Sequence, residues 1–154
     1  MEVYLVQHGE ARPESEDPER PLTYTGRTQV EAAAQHLAAC GVTVSRILHS
    51  GRLRAKQTAG IFAQYLDPAV AVVEQEGLGP KDDPEIAMQM LTRSREPVMI
   101  VGHLPHLSRL AALLVLGDAD RTMVRFQTGG VVCLGSGDDG WTVRWALVPD
   151  LVLM

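Results

Sequence analysis

Two histidines stand at the ends of apolar segments, and a cationic turn follows a third. His8 comes directly after Val3-Tyr4-Leu5-Val6-Gln7, and His103 directly after Val98-Met99-Ile100-Val101-Gly102. The third segment, Arg46-Ile47-Leu48-His49, runs into Ser50-Gly51-Arg52-Leu53-Arg54-Ala55-Lys56-Gln57-Thr58. A neutral imidazole offers a ring lone pair for nucleophilic or base chemistry. An arginine offers a planar, permanently charged fork for the oxygens of an anion. Read alone, each residue also has a plainer account: a buried histidine bonded to backbone, or an arginine in solvent. Only if the three segments end at one place do the residues form a site.

The chain has 154 residues, which suits a single domain, spanning 1–154, with a core that needs neither metal nor disulfide. Its two cysteines, Cys40 and Cys133, give no disulfide framework and suit a reducing, cytoplasmic setting. The N-terminus lacks the basic region and cleavage site of a signal peptide, and no segment approaches the roughly 20 apolar residues of a membrane span. A formal charge of -5 argues against nucleic acid as the main partner, while leaving room for a local arginine pocket.

The pattern of elements supplies the means of bringing the segments together. Val3 to Val6 is apolar without alternation, as in a central strand covered on both faces. After the loop Glu10 to Pro21, Thr23 or Thr25 can cap a helix with Val30, Ala33, Ala34, Leu37 and Ala38 inward, ending at Gly41. Ile47-Leu48 is a short strand, Ser50 a cap, and Ile61, Phe62, Tyr65 and Leu66 the inner face of a second helix stopped by Asp67-Pro68. Ala69 to Val73 reads as a strand. Asp83 and Pro84 open a helix with Ile86, Ala87, Met90 and Leu91 inward. Val98 to Val101 is a strand, and Pro105 begins a helix, ended by Gly117, whose Leu107, Leu110, Ala111 and Leu114 face the core. Val131 to Leu134 and Trp141 to Leu147 flank a glycine-rich turn and predict a hairpin. Trp141 and Trp145, at strand spacing, are expected on one face as core packing. Thr128-Gly129-Gly130 reads as a turn or a pocket edge. Strands alternating with helices predict an α/β domain with a mainly parallel sheet and an antiparallel C-terminal strand. In such folds ligands gather outside the carboxyl ends of the strands. That rule joins His8, the Ser50 to Arg54 turn and His103.

Leu5-Val6-Gln7-His8-Gly9-Glu10 resembles the Arg-His-Gly signature of the histidine phosphatase superfamily, also called phosphoglycerate mutase-like. Arg20-Pro21-Leu22-Thr23-Tyr24-Thr25-Gly26, the turn Ser50 to Thr58, and Val101-Gly102-His103 resemble, in order, the motifs of its small SixA-like phosphohistidine phosphatase branch. The resemblance covers nearly the whole chain. It implies a three-layer α/β/α sandwich and phosphoryl transfer without a cofactor. It places the phosphorylated histidine on His8, the phosphate-binding arginine on Arg54 and the second pocket histidine on His103. The family's first arginine falls on Gln7.

In that frame His8 attacks phosphorus, and water later resolves the phosphohistidine. Gly9 permits close backbone approach, and its N–H is a candidate phosphate donor. Arg54 holds phosphoryl oxygens in the first turn of a helix, and His103 donates to the group, more strongly if protonated. Gln7 keeps two amide donors but supplies no charge. Arg20, Arg109 and Arg125 are candidates to restore that charge, with Arg20 otherwise a solvent-facing loop cation. Arg52 and Lys56 read as outer residues and His106 as a surface or rim residue. His103-x-x-His106 with His8 invites a zinc reading, but no cysteine or placed carboxylate completes it. Glu76 is the candidate general acid among Glu76, Asp82 and Asp83, while Asp83 has its own account as a helix cap. The expected activity is hydrolysis of phosphohistidine on a protein, or of a related phosphomonoester such as a small phosphorylated metabolite. The alternative, which rests on Gln7, is a phosphoprotein-binding module of little or no turnover.

Overall fold

The computed structural model describes residues 1–67 and 69–153. In chain order the elements are β1 (Glu2–Gln7), α1 (Tyr24–Ala39), β2 (Arg46–His49), α2 (Leu53–Leu66), β3 (Ala71–Glu74), α3 (Pro84–Arg93), β4 (Val98–Gly102), α4 (His106–Leu116), β5 (Val131–Gly137) and β6 (Gly140–Leu147), followed by a 3-10 turn. The strands form one sheet in the order β3-β2-β4-β1-β5-β6. The first four run parallel, and the hairpin β5-β6 joins β1 through antiparallel pairing.

Alternating side chains of the central strands feed two separate cores. Tyr4, Val6, Ile47, Met99 and Val101 pack with Val30, Ala33 and Leu37 of α1 and Ala59 and Phe62 of α2. Val3, Leu5, Leu48, Val98 and Ile100 pack with Ala87 and Leu91 of α3 and Leu107, Leu110 and Leu114 of α4. The result is a three-layer α/β/α sandwich, with a mainly parallel sheet and an antiparallel C-terminal hairpin. A strand covered on both faces has no polar side to show, which explains the unbroken apolar runs of β1 and β4.

Local details select among the expectations. Thr23 is the cap of α1, its hydroxyl oxygen accepting the Gly26 N–H at 2.9 Å. Asp83 caps α3 with Pro84 in the first turn. Pro105 stands just before α4, whose first residue is His106. Asp67 ends α2, while Pro68 lies outside the described residues.

Three expectations are corrected. Ser50 does not cap α2: the flanking residue is Arg52, which makes no side-chain cap bond, because the chain takes two more residues to turn out of β2 through Gly51 at φ 91°. Ile86 is 51% exposed, since the inner stripe of the ten-residue α3 is filled by Pro84, Ala87 and Leu91. Trp141 and Trp145 face opposite sides of the sheet. Cys133 pairs with Trp145 but Leu134 with Val143, so Arg144 is an extra residue in β6, and this bulge reverses the alternation. Trp145 thus packs with the α1/α2 core, against Tyr4, and Trp141 with the α3/α4 core. Among the described residues no helix is long and apolar enough to cross a membrane.

Candidate active site

Strand register brings the three segments to one place. Gln7 of β1 aligns with Gly102 of β4, so His8 and His103 leave neighbouring parallel strands at the same end. The His8 N–H donates to the Gly102 carbonyl at 3.1 Å. The two imidazole centroids lie 5.1 Å apart, with planes tilted by 52°. On the other side of β4, His49 aligns with Val101, so Ser50 emerges beside Gly102. Its hydroxyl oxygen is 2.6 Å from Nε2 of His103. Two residues past Arg52, α2 brings in Arg54 in its first turn.

Hydrogen bonding fixes the state of His8. Its Nδ1 lies 2.7 Å from the Gly9 carbonyl oxygen, which can only accept, so Nδ1 carries the proton and Nε2 keeps a lone pair. Burial pushes the pKa of His8 down to about 4, against the opposing bond to Gly9 and with help from Arg54 and Arg20. Burial likewise pushes His103 down to about 3, with His8, Arg54, Arg52 and His106 adding in the same direction. Both rings are therefore neutral at pH 7. The loss of water and the surrounding cations thus leave His103 a neutral donor or acceptor, without the added strength that protonation would bring.

Unpaired polar atoms collect on these residues. Among the described residues, Gln7 Oε1, Arg54 Nε and His103 Nδ1 are buried without a hydrogen-bond partner. Buried polar atoms are normally paired, so three orphans from three elements around one strand end mark a place shaped for a polar ligand. Burial, then Arg20 and then Arg52, lowers the pKa of the Arg54 guanidinium from its ordinary value. The charge of Arg20 thus reaches both Arg54 and His8. Arg20 is half-buried at φ 51°, with its Nε donating to the Arg12 carbonyl at 3.0 Å, and is not the solvent-facing cation that its loop position suggests. Arg109 instead pairs with Asp120 at 3.5 Å, and Arg125 is exposed.

Gly9 has a different part from the one expected. Its N–H donates to the Thr58 hydroxyl at 3.0 Å, and that hydroxyl donates to the Arg54 carbonyl at 2.8 Å. The N–H is spent on α2 and does not serve as a phosphate donor. Its close approach is to α1: a Cβ at Gly9 would lie 2.8 Å from Val30 Cγ2. His106 is fully buried rather than at a rim, with both ring nitrogens unpaired. As the first residue of α4 it sits one turn before Leu110 and so shares the inward stripe. Burial lowers its pKa, opposed by Asp82 and Asp83.

Among the carboxylates, Asp83 is occupied as a cap, accepting from Glu85 N–H at 3.0 Å, and Asp82 accepts from Gly79 N–H at 2.7 Å. Glu76 is exposed, on an open groove of about 600 Å³ that it shares with Ser50, Arg52, Gly79 and Asp82. Arg52 and Lys56 are exposed. Thr128-Gly129-Gly130 forms a turn against the end of β1, where Gly129 N–H donates to the Gln7 carbonyl at 3.0 Å. Among the described residues no cluster of three or more His, Cys, Asp or Glu is placed to hold a metal ion.

Sequence reasoning missed the contacts that Ser50 makes with His103 and Thr58 with Gly9. For Thr58 a signal existed: it lies four residues after Arg54 on the same helix face, where a threonine hydroxyl can bond back to the carbonyl one turn earlier. For Ser50 the signal lay in the strand alignment, which no single segment reveals.

Residues 3–79 match the histidine phosphatase superfamily (branch 1). The chain belongs to that superfamily. Within it the chain is SixA-like. It is 31% identical over 156 residues to phosphohistidine phosphatase SixA of Escherichia coli, covering 97% of this chain and 94% of that one. An uncharacterized protein of Picosynechococcus is 33% identical over 145 residues, covering 89% and 86% of the two chains. The structure of the protein histidine phosphatase SixA complexed with tungstate superposes with a TM-score of 0.85 at 29% identity, covering 98% of this chain and 99% of that one.

Proposed function

We propose that this histidine phosphatase superfamily member hydrolyses a phosphohistidine, or a related phosphomonoester, through a phosphoryl group carried on His8. The observation that carries the reading is the Nδ1 bond of His8 to Gly9, which leaves Nε2 as a lone pair beside His103. In the first step Nε2 attacks phosphorus, the bond from phosphorus to the leaving nitrogen or oxygen breaks, and the leaving atom takes the electron pair and a proton. In the second step water attacks the phosphohistidine, inorganic phosphate departs, and the electron pair returns to Nε2. Arg54 balances the charge on the phosphoryl oxygens, and His103 and the Gln7 amide supply hydrogen bonds.

Among the described residues no buried side chain is a carboxylic acid, which favours a phosphoramidate such as phosphohistidine. Its leaving nitrogen is protonated from solvent, whereas an alkoxide needs a placed acid, and Glu76 stands exposed on the groove. Arg20 takes over part of the charge that Gln7 lacks, which its influence on His8 and Arg54 supports. The relatives agree with this reading: one is a phosphohistidine phosphatase, and SixA was solved with the oxyanion tungstate.

Hydrolysis of phosphohistidine, phosphoramidate and ordinary phosphate esters, compared for the wild type and His8→Ala, tests the proposal. Turnover of the two P–N compounds, lost in His8→Ala, is expected. Preference for an ester points to a small phosphorylated metabolite. The neutral Gln7 favours one second reading, a module that binds phosphoproteins without turning them over. Phosphate-dependent binding with no hydrolysis of any compound selects it.

A further inference from the structure

Ser50 has no assigned part in this chemistry, and its surroundings give it one. Its hydroxyl oxygen lies 2.6 Å from His103 Nε2 and accepts the Arg52 N–H at 3.4 Å. It does not cap α2. Nδ1 of His103 is buried and has no partner. We propose that Ser50 is a positioning residue that donates its hydroxyl proton to His103 Nε2, so that His103 is held with its proton on Nδ1 and presents an N–H to the phosphoryl group. This rests on the function proposed above.

Hydrogen-bond accounting favours this direction. An imidazole that is neutral has one N–H and one acceptor nitrogen, and the partner of one nitrogen decides the state of the other. If Nε2 donated to Ser50, the buried Nδ1 would keep a bare lone pair in a site built around an arginine. A phosphoryl group offers only acceptors there, so no bond could form and the two electron-rich atoms would repel. With the hydroxyl donating, the Ser50 oxygen keeps its lone pairs for the Arg52 N–H. His103 Nδ1 then becomes a donor, complementary to an anion, as His8 Nε2 is its nucleophile.

The arrangement also ties the site to the chain turn. Ser50 is the first residue after β2, and its bond from the Arg52 N–H orders the turn that leads into α2 and Arg54. One hydroxyl thus orients the second histidine and steadies the approach to the arginine.

The test is the nitrogen NMR spectrum of His103 at neutral pH in the intact wild-type chain, Ser50→Ala and Ser50→Thr, beside turnover of phosphoramidate. The expected wild-type signature is a protonated Nδ1 and an accepting Nε2. Ser50→Ala should lose that preference and lower kcat roughly tenfold, the worth of about one hydrogen bond, and Ser50→Thr should restore both. A wild-type His103 protonated on Nε2, or a Ser50→Ala variant with unchanged tautomer and kcat, overturns the proposal. The spectrum reads Ser50 without any turnover, so a wild type that hydrolyses nothing, yet shows Nδ1 protonated by way of Ser50, overturns the function proposed above and not the role of Ser50.

Discussion

At residue scale Gln7 sets the character of the site. It occupies the strand end next to His8, yet its amide brings no charge, and its Oε1 is buried without a partner. Charged hydrogen bonds are about twice as strong as neutral ones, so Gln7→Arg is expected to raise kcat/KM for phosphoramidate by roughly tenfold. Steady-state kinetics of the two proteins check this. Unchanged kinetics would mean that Arg20 already supplies all the charge the reaction uses. That His8, the turn from Ser50 and His103 meet at one end of the sheet was legible from the three apolar segments that end beside them, while the roles given to His8, Arg54 and His103 came from the resemblance of the ordered motifs. The placement of Arg20 was not, because its half-buried pose depends on a backbone at φ 51° and a bond to the Arg12 carbonyl, neither of which local spacing encodes.

At the scale of elements the site depends on how α1 and α2 grip the end of β1. Gly9 is wedged against Val30 of α1 and donates to Thr58 of α2, so the loop after His8 is held between two helices. Thr58→Val removes the acceptor and leaves a buried N–H unpaired, which costs about 1 to 3 kcal/mol. Urea unfolding of the variant measures that loss, and an unchanged midpoint would contradict the role given to Thr58. Strand and helix order was readable from the apolar runs of β1 and β4 and from caps such as Thr23 and Asp83. The bulge at Arg144 was not readable, because one extra residue in β6 reverses the faces of Trp141 and Trp145 without altering the local pattern. The two corrections at Ser50 and Ile86 have a similar cause. Each residue type fits its expected place locally, while tertiary geometry fixes where the turn and the inner stripe actually fall.

At the scale of the whole molecule, four of the five histidines, His8, His49, His103 and His106, have pKa values lowered chiefly by burial. Well above their ordinary pKa of about 6.5 they are neutral both folded and unfolded and contribute no pH dependence. As pH falls below about 6.5 the unfolded chain binds protons that the folded chain refuses, down to about pH 4 for His8 and about 3 for His103. Stability is therefore expected to fall as pH drops from 7 to 5, seen as a lower Tm in a thermal melt at each pH. A Tm that holds steady over that interval would contradict the buried, neutral histidines. The same burial keeps His8 unprotonated at neutral pH, the state that the proposed attack on phosphorus requires, so stability and the proposed chemistry share one cause. The most direct test of that chemistry is to quench the wild-type protein during turnover of phosphoramidate and map the phosphoryl group by peptide mass. The account predicts an acid-labile phosphoryl group on His8, absent in His8→Ala and discharged to water on standing. Turnover with no phosphoryl group on His8, or with His8→Ala still active, would contradict it.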